Sequence, residues 1–102
     1  MQMMIVAGTA RFAAGEIDRL QSQLAAWVAE VRRRDGCIAY NYARDIDDPD
    51  LLHIVEQWRD DAAIDAHMSD MGVLMNALAG AKMEALNVRA YEADYKRTLM
   101  GE

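Results

Sequence analysis

Three residue types suited to proton chemistry and aromatic binding sit close together in HIVEQWRDDAAIDAH, residues 53–67: a carboxylate at Glu56, an indole at Trp58 and an imidazole at His67. A carboxylate or an imidazole can take the proton of a phenol or enol, and histidine titrates nearest to neutral pH. The indole would wall a pocket for a flat substrate, although a tryptophan serves equally well as core. Glu56 and His67 would also satisfy each other as a buried structural pair that fixes a helix on a sheet. Which role they take depends on the elements that carry them.

Those elements follow from apolar periodicity. LLHIVEQW, residues 51–58, alternates as a strand, with Leu52, Ile54, Glu56 and Trp58 on one side and Leu51, His53, Val55 and Gln57 on the other. Asp60-Asp61 supplies a helix N-cap and early negative charge, so a short helix is predicted over 61–67, with His67 on the face of Ala63 and Ile64. Both faces then look into one sheet–helix interface. A further helical piece carries Met71, Leu74, Met75 and Leu78, capped by Ser69 or Asp70 and ended by Gly80.

The rest of the chain supplies the frame. Residues 3–12 read as a first strand. An amphipathic helix follows from Glu16 to about Arg34, on Ile17, Leu20, Leu24, Val28 and Val31, and stops at Asp35-Gly36. CIAYNYARD from Cys37 is a second strand, with Ile38, Tyr40, Tyr42 and Arg44 on one face, hairpinned to the third through the turn at Asp45–Asp50. Residues 82–95 read as a fourth strand. The order β-α-β-β-α-β predicts an α+β fold of ferredoxin-like type, a four-stranded antiparallel sheet with helices on one face. Large apolar groups on both sides of the third strand argue for a second copy of the chain over the uncovered face, a homodimer.

Composition narrows the partners. The 102 residues make one domain, 1–102, with the last few as a flexible tail. A net charge of -6 repels phosphate backbones and anionic lipid, which excludes nucleic acid and membrane surfaces as partners. The basic run Arg32-Arg33-Arg34 complements a helix C-terminus. One cysteine, Cys37, permits no internal disulfide and reads as a small core residue, while no signal peptide or membrane span is apparent, so a cytoplasmic location is expected.

The stretch from Asp35 to Asp70 resembles the antibiotic biosynthesis monooxygenase family. The residues that carry the likeness are Gly36-Cys37, Tyr40, Asp48-Pro49, Glu56, Trp58 and His67, with His67 nine residues after the tryptophan. The resemblance implies a dimeric α+β barrel, sheet packed on sheet, each protomer keeping a pocket between sheet and helices. The family includes cofactor-independent oxygenases of phenols and quinols, haem-degrading enzymes and an isomerase. In the oxygenases of aromatic polyketides the pocket uses an Asn, a Trp and an Arg. Trp58 and Arg89 match the last two, and Ile54 stands where the Asn would be. Gly8 and His67 stand where the haem-degrading branch has Asn and Trp, which disfavours haem degradation.

The function so implied is a monooxygenase without metal or cofactor, acting on a phenolic or quinol-type small molecule. Deprotonation of such a substrate yields an anion able to pass an electron to O2, so the protein need supply a base, an apolar pocket and anion stabilisation. His67, Glu56 and Arg89 are the catalytic candidates. Trp58, Ile54, Tyr40, Tyr42, Tyr91 and Met71 are the substrate-binding candidates, the last with Met68 and Met75 as an adaptable apolar lining. An isomerase or a non-catalytic binding module would use the same pocket.

Overall fold

A computed structural model describes residues 2–101 of the chain; Met1 and Glu102, the last residue of the expected tail, lie outside them. The strict alternation of LLHIVEQW is realised as β3 (Leu51–Trp58), in which Leu52, Ile54, Glu56 and Trp58 are all buried. Around it run β1 (Gln2–Phe12), α1 (Glu16–Val31), β2 (Cys37–Arg44), α2 (Asp61–Met68), α3 (Met71–Ala77) and β4 (Met83–Asp94). The sheet has the order β2-β3-β1-β4 with every pair antiparallel, the ferredoxin-like α+β topology expected from the sequence.

Register decides which side chains share a face. Glu56 lies opposite Val6 on β1 and Tyr40 on β2, and Ile54 lies opposite Gly8 and Tyr42, so these six residues share the inner face. The core packs that face against Leu20, Leu24, Trp27 and Val31 of α1, Ala63 and Ile64 of α2, and Leu74 of α3. Capping fixes α2: Asp60 is extended and its carboxylate accepts from the Ala63 N–H at 2.9 Å. Asp70 stands at the N-cap of α3 but caps nothing, because its carboxylate meets Arg34 at 2.8 Å instead.

Two details depart from the sequence reading, and a third agrees with it. The regular part of α1 ends at Val31 rather than Arg34; the next three residues form a tightened turn, and Arg32 leaves the helix to donate to the Tyr40 carbonyl and the Asn41 side chain. In β2, Cys37 pairs with Trp58 and Ala39 with Gln57, so Ile38 is the extra residue of a bulge. Ile38 is therefore exposed, and Cys37 packs on the core in the place alternation assigned to it. Finally, Gly36 turns the chain at a φ of 82°, and a β-carbon there would crowd the Ala63 methyl, so both backbone and packing require glycine between α1 and β2.

Candidate functional site

Because strand positions two apart share a face, Glu56 and Trp58 project together, and the Trp58 indole N–H donates to Glu56 Oε1 at 2.9 Å. The Asp60 cap starts α2 so that His67, two turns on, falls inward over the same spot. Its ring is 3% exposed and stacks on Trp58 at 4.9 Å and 28°. Tyr40 meets it edge-on at 5.3 Å, and Trp27 lies at 5.8 Å. Sequence spacing thus anticipates the convergence of Glu56, Trp58 and His67. The anticipated Glu56–His67 hydrogen bond is absent among the described residues: the carboxylate takes its partner from its own strand, and His67 Nδ1 is buried with no partner. An indole two residues along the strand offers a nearer donor than a ring whose face lies flat against that indole.

Burial shifts the two titrating groups in opposite directions. It pushes the Glu56 carboxyl above its ordinary range, with the Trp58 N–H partly opposing. It pushes His67 down to about 4, assisted by the Arg34 cation and opposed by Asp70. Arg34 is held there by the Asp70 ion pair and by lying over the Trp27 ring at 5.1 Å. At neutral pH His67 is an uncharged imidazole and a weak base, and Glu56 is the better proton acceptor. Tyr40 and Tyr42 are both shifted upward, chiefly by burial, and so keep their protons. Among the described residues no three His, Cys, Asp or Glu side chains gather as a metal-binding group.

A cavity of about 360 Å³ opens beside this cluster, between the inner face of the sheet and α2–α3. Ile54, Val6 and Val88 form its floor, Leu74 and Leu78 its wall, and Met68, Met71, Met75 and Met83 its rim. Its polar side chains include Glu56, His67, Tyr40 and Tyr42. A shallower groove of about 480 Å³ between α1 and β2 shares Leu24, Tyr42 and Leu52 with it.

Of the expected site residues, Glu56, His67, Ile54, Tyr40, Tyr42 and Met71 line the cavity together. Trp58 does not: fully buried, it lies behind Glu56 and His67 as their support rather than as a wall met by substrate. Arg89 and Tyr91 stem from the other face of the sheet. They pair with Ala7 and Ile5, which pair in turn with Val55 and Gln57, so both occupy the outer face of the sheet. Arg89 nonetheless lines the cavity, where β4 runs so close beside β1 that a β-carbon on Gly8 would strike the Asn87 carbonyl. Trp27 was not foreseen as part of the site. Its signal was its place among Leu20, Leu24 and Val31 on the apolar stripe of α1.

A family model described as antibiotic biosynthesis monooxygenase matches residues 3–72 of the chain. Among solved structures, a Deinococcus radiodurans protein named as a candidate antibiotic biosynthesis monooxygenase is 29% identical, with a TM-score of 0.85 over 96% of this chain and 99% of its own. A Chloroflexus aurantiacus protein of the same description is 25% identical, with a TM-score of 0.71 over 96% and 99%. A Nitrosomonas europaea protein, also so described, shares the fold at 15% identity, with a TM-score of 0.82 over 91% of each chain. No curated protein matches the chain.

Proposed function

The chain belongs to the antibiotic biosynthesis monooxygenase family, and from that premise we propose that it is a cofactor-independent monooxygenase of a phenolic or quinol-type small molecule. The observation that carries the reading is a single carboxylate, Glu56, raised in pKa by burial at the wall of a largely apolar cavity. A cavity of this size falls at the small end of ordinary ligand pockets, roughly 300–1,000 Å³, and suits one or a few fused rings.

In the proposed reaction Glu56 takes the hydroxyl proton of the bound phenol. The resulting anion gives one electron to O2, and the superoxide so formed joins the ring radical to make a carbon–oxygen bond. Loss of the ring hydrogen with cleavage of the O–O bond leaves a quinone and one water, so phenol plus O2 balances quinone plus H2O. The protein contributes the base and the apolar walls.

Oxygen uptake by metal-free protein with a panel of quinols and phenols tests this. Uptake is expected, falling by about 100-fold in Glu56→Gln, the usual scale for a lost general base. One observation favours a second reading, an isomerase or non-catalytic binding module: Arg89, the one cation lining the cavity among the described residues, stems from the outer face of the sheet, and the hydroxyls within are neutral donors. Tight binding of a phenol with no uptake would select it.

We also propose that a second copy covers the outer face, where Val55 and Tyr91 are each about half exposed near the centre and edge of the sheet. Each protomer would bury at least about 800 Å² there. Light scattering should report a dimer, and a monomer at micromolar concentration would remove this part of the proposal. No helix among the described residues is long and apolar enough to cross a membrane.

A further inference from the structure

Trp27, Tyr40 and Tyr42 form a row of hydrogen bonds running from the core to the cavity. The Trp27 indole Nε1 lies 3.1 Å from the Tyr40 hydroxyl, which lies 2.6 Å from the Tyr42 hydroxyl. The row has a direction. Indole N–H can only donate, so Tyr40 oxygen accepts from Trp27. Tyr40 is 1% exposed, and the one other group hydrogen-bonded to its hydroxyl is that of Tyr42. If Tyr42 donated to Tyr40, the Tyr40 proton would be buried without an acceptor, which is costly. Tyr40 therefore donates to Tyr42.

Tyr42 is left with its own hydroxyl hydrogen to give. It alone of the three lines both the cavity and the groove between α1 and β2, and no acceptor for it exists among the described residues. We infer that Tyr42 is a one-way hydrogen-bond donor to an anionic oxygen of an aromatic ligand, a phenolate or enolate, with its direction imposed by Trp27 through Tyr40. The inference rests on reading the cavity as a phenol site, and adds a neutral donor inside it to the Arg89 cation that reaches its edge from the outer face. Tyr42 touches the ligand, whereas Trp27 and Tyr40 are positioning residues. No proton leaves Tyr42. The Trp27 N–H donates to the Tyr40 hydroxyl and also acts on the Tyr42 hydroxyl, so losing it weakens the donor at the end of the row.

A chromogenic phenol separates this from packing. 4-Nitrophenol absorbs differently as phenol and phenolate, and 4-nitroanisole has nearly the same shape without an ionisable oxygen. Spectrophotometric titration should give bound nitrophenol a lower pKa in the wild-type protein than in Tyr42→Phe, with phenolate affinity falling about tenfold in that variant. Trp27→Phe should lose about threefold. Nitroanisole affinity should be unchanged in Tyr42→Phe. Glu56→Gln should tighten phenolate binding by removing a like charge, which would also show that nitrophenol occupies the cavity. Equal losses for nitrophenolate and nitroanisole, an unaltered pKa of bound nitrophenol in Tyr42→Phe, or no binding by the wild-type protein at millimolar nitrophenol would each overturn the inference. Phenolate discrimination without oxygen uptake on any phenol would leave Tyr42 as the donor and remove the oxygenase.

Discussion

On the inner face of β3, Glu56 has exchanged water for a single indole N–H, whereas one face away His53 keeps its solvent and meets Asp45 at 2.7 Å. The two faces thus hold comparable chemistry, an acid–base group with one hydrogen-bonded neighbour, in opposite dielectric settings. On the wet side, the His53 hydrogen bond and two turn N–H groups hold Asp45 low in pKa. On the dry side desolvation outweighs the one hydrogen bond and raises Glu56. What separates a candidate base from a surface pair is the cover that α2 and α3 provide, not the residues' identities.

The greatest effect is expected where that cover meets the strand. Trp58 is wholly buried, stacks on His67 and donates to Glu56, so it holds both groups of the inner face. Trp58→Ala should lower stability in urea by about 3–5 kcal/mol. Trp58→Phe keeps most of the stack but strands the carboxylate, and should cost about 1–3 kcal/mol. A Trp58→Ala loss below about 1 kcal/mol would mean that the inner face does not depend on the indole.

The next effect is a dependence on pH. His67 is pushed down to about 4 in the folded chain and returns to its ordinary 6.5 on unfolding. The unfolded state therefore binds the proton first, so stability is fully present above pH 6.5 and declines as pH falls toward 4, by on the order of 3 kcal/mol. Glu56 acts with the opposite sign: its folded carboxyl is raised, so its contribution is fully present below its unfolded value and is lost as pH rises through the folded one. His67→Phe retains an aromatic ring over Trp58 and removes the titration. Its stability should lose the wild-type decline between pH 6.5 and 4, and an unchanged pH profile would show that His67 is not the group responsible.

These differences also mark how far the sequence reaches. The parity of β3 was legible because LLHIVEQW alternates without a break, and one buried face then brought Glu56 and Ile54 inward with it. β4 reads LNVRAYEA with apolar and polar residues on both faces, and its register with β1 slips between Arg11 and Phe12. A slip of one residue exchanges the faces, so neither Arg89 nor Tyr91 could be oriented from spacing alone. The bulge at Ile38 defeated the same counting in β2. His67 reached the predicted place because a cap and a helical period fix it. Its partner did not, because choosing among buried donors needs their relative angles and not merely their faces. Trp27 was visible as an apolar position on α1, but its hydrogen bond to Tyr40 joins elements whose approach no sequence period encodes.

The smallest effect belongs to the outer face and completes the contrast. The His53 side chain is 44% exposed, and its ion pair with Asp45 forms only when the ring is protonated. An exposed pair of this kind gains little over its solvated partners and is screened further by salt. His53→Ala should therefore unfold at the same urea concentration as the wild-type protein at neutral pH, in both low and high salt, and should leave oxygen uptake untouched. The measurement also probes the dimer. If a second copy covers this face near His53, the variant's unfolding midpoint should stay level only at concentrations that keep the dimer formed, and fall on dilution before that of the wild-type protein does. A loss at neutral pH that is independent of both salt and protein concentration would show instead that His53 supports the fold, and the two faces of β3 would then differ less than their exposure suggests.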